Sequence, residues 1–92
     1  MTKICDAIRD RKIISFYYKG RTRVAEPHLV GYDRDGDLTL SAWQLSGGSG
    51  QGFRDFHINI MSNLTIMPQS FSGARPNYNP NDSTLGRILC RL

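Results

Sequence analysis

The chain has 92 residues, 39% of them hydrophobic and 22% charged, and twelve Lys and Arg against eight Asp and Glu give a formal charge of +4. That length makes one small domain, which buries roughly 60–65% of its unfolded surface around one modest core. The charge mildly favours acidic partners. No apolar run approaches the roughly 20 residues of a bilayer span, so no membrane partner is expected.

Residues 3–11 read as a helix, with Ile4, Ala7, Ile8 and Arg11 at helical spacing and Thr2 as N-cap. The start of the chain carries an acid, Asp6, and little apolar content, so it does not read as a signal peptide. Cys5 and Cys90 lie at opposite ends without metal-type spacing. The expectation is two buried reduced cysteines in a cytoplasmic protein, with a terminal disulfide as the alternative.

Residues 13–19 are β-branched and aromatic and read as a strand, closed by a turn at Lys19-Gly20. Arg21 to Tyr32 continues extended, bent at Pro27. Asp33-Arg34-Asp35-Gly36 is a hairpin turn, because Asp-Gly accepts the positive φ such turns need. Residues 37–45 alternate cleanly: Leu38, Leu40 and Ala42 face one way, Thr39, Ser41 and Trp43 the other. Trp43 on the more polar face needs cover from the N-terminal helix or the C-terminal tail. Gly47 to Gly52 is a flexible loop. Residues 53–60 and 63–67 are further strands, 69–83 an irregular Gly/Pro/Asn/Ser stretch, and Thr84–Arg91 a final helix capped by Ser83. The chain thus divides into a β unit at 1–68 and a tail at 69–92 that packs on it. Several short strands behind one helix point to a small β-barrel or strongly curved sheet.

Motifs for chemistry fail. Asp33, Asp35 and Asp37 resemble a calcium loop, but Gly36 is misplaced and position 44 is Gln rather than a bidentate Glu. The glycines of 47–52 lack the GxxxxGK[ST] phosphate pattern. The serines have no nucleophile-elbow context, no carboxylate is placed by motif to orient His28 or His57, and no cluster has zinc spacing. A non-enzymatic protein without cofactor or metal is expected.

What remains is a set of aromatics and cations on strands, Tyr17, Tyr18, Trp43 and Phe56 with Arg21, Arg23, Arg54 and His57. Small β-barrels bind single-stranded nucleic acid with such sets, stacking being worth about 1–3 kcal/mol per base. In the segment Arg54 to Met61, strand alternation puts Arg54, Phe56, Ile58 and Ile60 on one face and Asp55, His57, Asn59 and Met61 on the other. A groove shared by Arg54 and His57 would then need a bulge or a rim position.

The order of these features resembles the WYL domain family over about Ile4 to Phe71: a leading helix with Ala7-Ile8, a strand ending in Tyr18, a Val-x-x-Pro step at Val24 to Pro27, an Asp-Gly turn at 35–36, and a closing Arg-x-Phe-Arg-x-Asp-Arg-Ile element. The naming Trp-Tyr-Leu triplet is here Leu38-Thr39-Leu40. In the closing element Arg54 and Phe56 match, Ile58 fills an open position, and His57, Asn59, Ile60 and Met61 replace Arg, Asp, Arg and Ile. The resemblance implies a mainly β fold, an Sm-like small β-barrel of about five strands with an N-terminal helix and a short C-terminal helix. It also implies ligand sensing in transcriptional or antiviral-defence regulation, through single-stranded nucleic acid or a nucleotide-like ligand. Tyr18, Arg54, Phe56 and His57 are the candidate ligand residues: Arg54 for phosphate, Tyr18 and Phe56 as packing or stacking surface, His57 as donor. Only three residues precede Ile4, so a domain working without the usual DNA-binding domain ahead of it is expected. The other functional expectation is a protein-interaction module, partnered by a copy of itself or another protein through open strand edges and the apolar side chains Leu85, Ile88, Leu89 and Leu92.

Overall fold

The structure, a computed structural model, describes residues 2–92. Helix α1 spans Thr2–Asp10 and includes Thr2 rather than being capped by it. Strands follow at Lys12–Tyr18 (β1), Arg21–Asp33 (β2), Leu38–Ser46 (β3) and Gly52–His57 (β4). A single 3-10 turn, Ile58–Ile60, separates β4 from Ser62–Ser70 (β5), and Leu85–Arg91 forms β6. All pairings are antiparallel, in the order β4-β3-β2-β1-β5, with β6 added on β2. The six strands make an open, bent sheet that does not close into a barrel.

The 13-residue β2 organises the sheet. One edge pairs with β3 over Val24–Tyr32; the other pairs with β1 over Arg21–Ala25 and with β6 over Leu29–Asp33. The change of partner falls at Pro27, which has no N–H to give a ladder, and the β3 register also slips between Pro27 and Leu29. Expectation and structure differ at the C-terminal segment: Thr84–Arg91 is not a helix. Its apolar residues satisfy an i, i+3, i+4 stripe, but the outer half of β2 offers a row of unpaired backbone groups, and extended pairing satisfies both chains. Gly86 within the segment further weakens a helix. Gly31 permits the approach, since a Cβ there would stand 2.6 Å from the Arg87 carbonyl oxygen. Residues 85–91 therefore belong to the sheet rather than to a tail lying on it. β5 likewise runs through Pro68 to Ser70, past its expected end, because Pro68 sits at a register break on a terminal strand.

The core lies between α1 and the inner face of the sheet. Ile4, Ala7 and Ile8 pack with Ile14, Phe16, Tyr18, Ala25, Val30, Leu40, Ala42 and Phe56. Phe16, Tyr18 and Phe56 meet edge to face, with centroids 4.9–6.3 Å apart. The cysteines are not reduced: Cys5 of α1 and Cys90 of β6 are bonded, with their Cα atoms 5.7 Å apart. Spacing along the chain hid this, because 85 residues separate partners that the fold brings together.

A candidate ligand pocket under the C-terminal connection

The register of β3 with β4 builds the site. On the inner face, Leu40 opposes Phe56 and Ala42 opposes Arg54. On the outer face three cross-strand pairs stand in a row: Thr39 with His57, Ser41 with Asp55, Trp43 with Phe53. The connection between β5 and β6 crosses over this face. Its Arg75 lies 5.0 Å over the Trp43 ring and forks onto the buried carboxylate of Glu26, Nε to Oε1 at 2.8 Å and Nη2 to Oε2 at 2.9 Å. The tail, not the helix, supplies the cover that Trp43 required.

His28 is the hub beneath the connection and is fully buried. Its Nε2 accepts the Arg75 backbone N–H at 3.1 Å, so Nδ1 carries the proton and donates it to the Glu26 carbonyl at 2.8 Å. Phe53, Phe71 and Tyr78 surround the ring at 5.1–5.7 Å. Burial holds its pKa below the ordinary histidine value, so the ring is neutral. Tyr78 donates its hydroxyl to the His28 carbonyl at 3.4 Å, and burial raises the phenol's pKa.

Between connection and sheet opens a cleft of about 290 Å³, lined by Ser41, Phe53, Arg54, Asp55, Tyr78 and Asp82 with Asn77 and Asn79. Phe53 and Tyr78 lie near parallel, 26° apart with centroids at 6.5 Å. Arg54 comes from the inner face but turns to the rim, where Nη1 donates to the Phe53 carbonyl at 2.9 Å and Nη2 to Ser49 Oγ at 3.2 Å. Removal from water raises the pKa of Asp55, with the charge of Asp82 acting the same way, while a hydrogen bond from Ser41 opposes them.

A second cleft of about 350 Å³ adjoins the first and shares Asp55 with it; Asp33, Arg34, Asp35, Thr39, His57, Thr84 and Leu85 complete its lining. Here Asp33 Oδ1 accepts the backbone N–H groups of Asp35 and Asp37, both at 2.9 Å, while Oδ2 lies 3.4 Å from His57 Nε2. The Asp37 and Asp35 amides and the neighbouring His57 lower the Asp33 pKa. Among the described residues, Asp33, Asp37 and His57 are the group whose donor atoms, all within 4.8 Å of one another, have the spacing to meet around one cation. Asp33, Asp35, Asp37, Asp55 and Asp82 gather in this corner, five of the eight acids of a chain whose formal charge is +4.

The four expected ligand residues therefore part company. Arg54 rims the first cleft and His57 lines the second. Alternation holds through β4 without a bulge, and Arg54, although it reaches the rim on the outer side, lines a different cleft from His57. Phe56, 1% exposed, and Tyr18, 6% exposed, are core and offer no ring to a base. Tyr18 instead fixes the strand, its Oη accepting the His57 backbone N–H at 3.0 Å. Sequence reasoning missed Phe53, Asp55 and Ser41, although the same alternation that placed His57 also placed Asp55 beside it. Nothing in the Asn/Pro-rich 69–83 stretch marked Tyr78 or Asp82 as pocket walls. No family model, curated protein or solved structure matches the chain, and the WYL resemblance rests on its residues alone.

Proposed function

We propose that the chain is a small non-enzymatic ligand-sensing domain that takes a mononucleotide-like ligand in the cleft between β4 and the connection. The observation that carries this reading is one cleft holding an aromatic pair, Phe53 and Tyr78, with a cation, Arg54, at its rim and carboxylates, Asp55 and Asp82, in its wall. A base packs against the aromatic pair, base N–H or sugar hydroxyl groups donate to the carboxylates, and one phosphate meets Arg54. The gathered acids favour this over a single strand of nucleic acid, whose successive phosphates would meet like charge. The arrangement of helix, four-strand meander, 3-10 turn and a fifth strand returning to β1 supports reading the sheet as an opened Sm-like barrel. With the WYL resemblance, it supports a role in transcriptional or defence regulation.

Titrating the protein with the four ribonucleoside monophosphates and with mixed short oligonucleotides, followed by calorimetry and Trp43 fluorescence at low and high salt, tests the reading. The monophosphates bind, and the oligonucleotides bind no tighter. Silence from both at low salt sinks it. One observation favours the interaction-module reading as well: β4 and β5 end the sheet, each paired on one edge only. A strictly monomeric sedimentation profile at high concentration counts against self-assembly. The Cys5–Cys90 bond stands against the cytoplasmic location the sequence suggests, because a reducing milieu rarely keeps a structural disulfide.

A further inference from the structure

We propose that the Cys5–Cys90 disulfide is a redox latch for the cleft: closed, it seats β6 and through it the wall made by residues 77–82; opened, it releases that wall. The inference rests on reading the cleft as a ligand site, but the latch itself stands on the packing.

β6 is an added strand. It pairs with β2 alone, and that ladder slips twice, between Val30 and Gly31 and between Tyr32 and Asp33. Its covalent tie to the core is Cys90 to Cys5, in the helix that buries Ile4, Ala7 and Ile8. The next residue carries the position of β6 into the cleft wall: Arg91 Nη1 donates to the Pro80 carbonyl at 2.9 Å, between the lining residues Asn79 and Asp82. At its other end β6 begins where the Leu85 N–H donates to the Asp82 carbonyl at 3.1 Å, so the wall hangs from both ends of this strand. The upstream anchors are the Phe71 N–H on the Arg11 carbonyl and the Arg75–Glu26 fork, which hold the connection before residue 77. Beyond it Tyr78, through its 3.4 Å hydrogen bond to the His28 carbonyl and its packing on His28 and Phe53, ties the start of the wall to the sheet, and residues 79–82 hang from β6. Both cysteines are only partly buried.

Opening is ordinary thiol–disulfide exchange with a dithiol. One thiolate of the dithiol attacks a cysteine sulfur, the other protein sulfur leaves as thiolate and takes a proton, and the second dithiol sulfur resolves the mixed disulfide. Two electrons pass to the protein, which gains two thiols, and the dithiol becomes its own disulfide.

The test is hydrogen–deuterium exchange on the full chain, oxidised, reduced with dithiothreitol, and reoxidised, alongside the Cys5→Ser/Cys90→Ser variant. Reduction speeds exchange at least tenfold in residues 77–91 and leaves the amides of α1, β1 and the inner half of β2 protected. Reoxidation reverses the change, and the double variant behaves as the reduced form whether or not dithiothreitol is present. Affinity for the best-bound ribonucleoside monophosphate falls at least tenfold on reduction. Unchanged exchange in 77–91 overturns the latch, and so does loss of protection throughout the sheet at once. If no monophosphate binds in either state, the ligand reading fails alone, and the exchange data still decide the latch.

Discussion

Arg75 forks both oxygens of Glu26 across 49 residues of sequence, and its own backbone N–H caps His28. One residue thus pins the connection to the sheet three ways, by ion pair, by hydrogen bond and by lying on Trp43. Arg75→Ala leaves a carboxylate that is 5% exposed without its partner. Such losses cost about 3–5 kcal/mol when both charges are buried. Arg75 is itself 38% exposed, so the loss in urea unfolding falls at or below the lower end of that range. In a double-mutant cycle with Glu26→Gln the two changes are less than additive.

Neutral His28 makes stability pH-dependent. Burial lowers its pKa in the folded state, so on acidification the unfolded chain takes up the proton first. The stability His28 contributes is complete above the unfolded value near 6.5 and is lost as pH falls from there through the depressed folded value. Thermal unfolding between pH 8 and pH 5 reads this, and in His28→Gln the slope near pH 6 flattens.

Phe56 and Tyr18 answer to stability rather than to ligand. Phe56→Ala opens the aromatic cluster against Phe16 and Tyr18 and costs about 3–5 kcal/mol. Tyr18→Phe keeps the ring but removes the acceptor of the His57 N–H, a loss of about 1 kcal/mol. Denaturant midpoints separate the two.

In the cleft the order reverses. Arg54→Ala weakens monophosphate binding roughly tenfold, the equivalent of about 1.4 kcal/mol, and leaves nucleoside binding unchanged, because it removes only the phosphate partner. Tyr78→Ala weakens both. Asp55→Asn weakens both as well and shifts the acid limb of the binding profile, since desolvation and the charge of Asp82 raise the Asp55 pKa above the ordinary carboxylate value. Calorimetry across pH 4–8 reads all three.

Gly31→Ala tests the seat of β6. The new methyl would meet the Arg87 carbonyl oxygen at 2.6 Å, so β6 must shift. Amide protection falls in 85–91 while the β1–β5 pairing is unaffected.

Much of the sheet was legible because local signals agreed with it. The Asp-Gly turn, the alternation of 37–45 and the β-branched run at 13–19 each placed an element close to where it lies. Thr84–Arg91 was misread because its apolar residues fit a helical stripe as well as a half-buried edge strand, and only the unpaired outer half of β2 decides between them. The disulfide was hidden for the same reason, being a property of where β6 docks. Within the site, alternation correctly separated Arg54 from His57. It could not tell which face of β4 the 71–84 connection would roof, so the value of Phe53 and Asp55 stayed invisible and the buried Phe56 looked available.

The 5.7 Å between the Cα atoms of Cys5 and Cys90 also means that the polypeptide enters and leaves this fold at one place. A host protein could carry the domain inside a surface loop with little splaying of its own backbone. Equally, fresh ends opened in the Gly47–Gly52 loop, with a short peptide joining the start of α1 to the end of β6, would give a circular permutant with the same sheet.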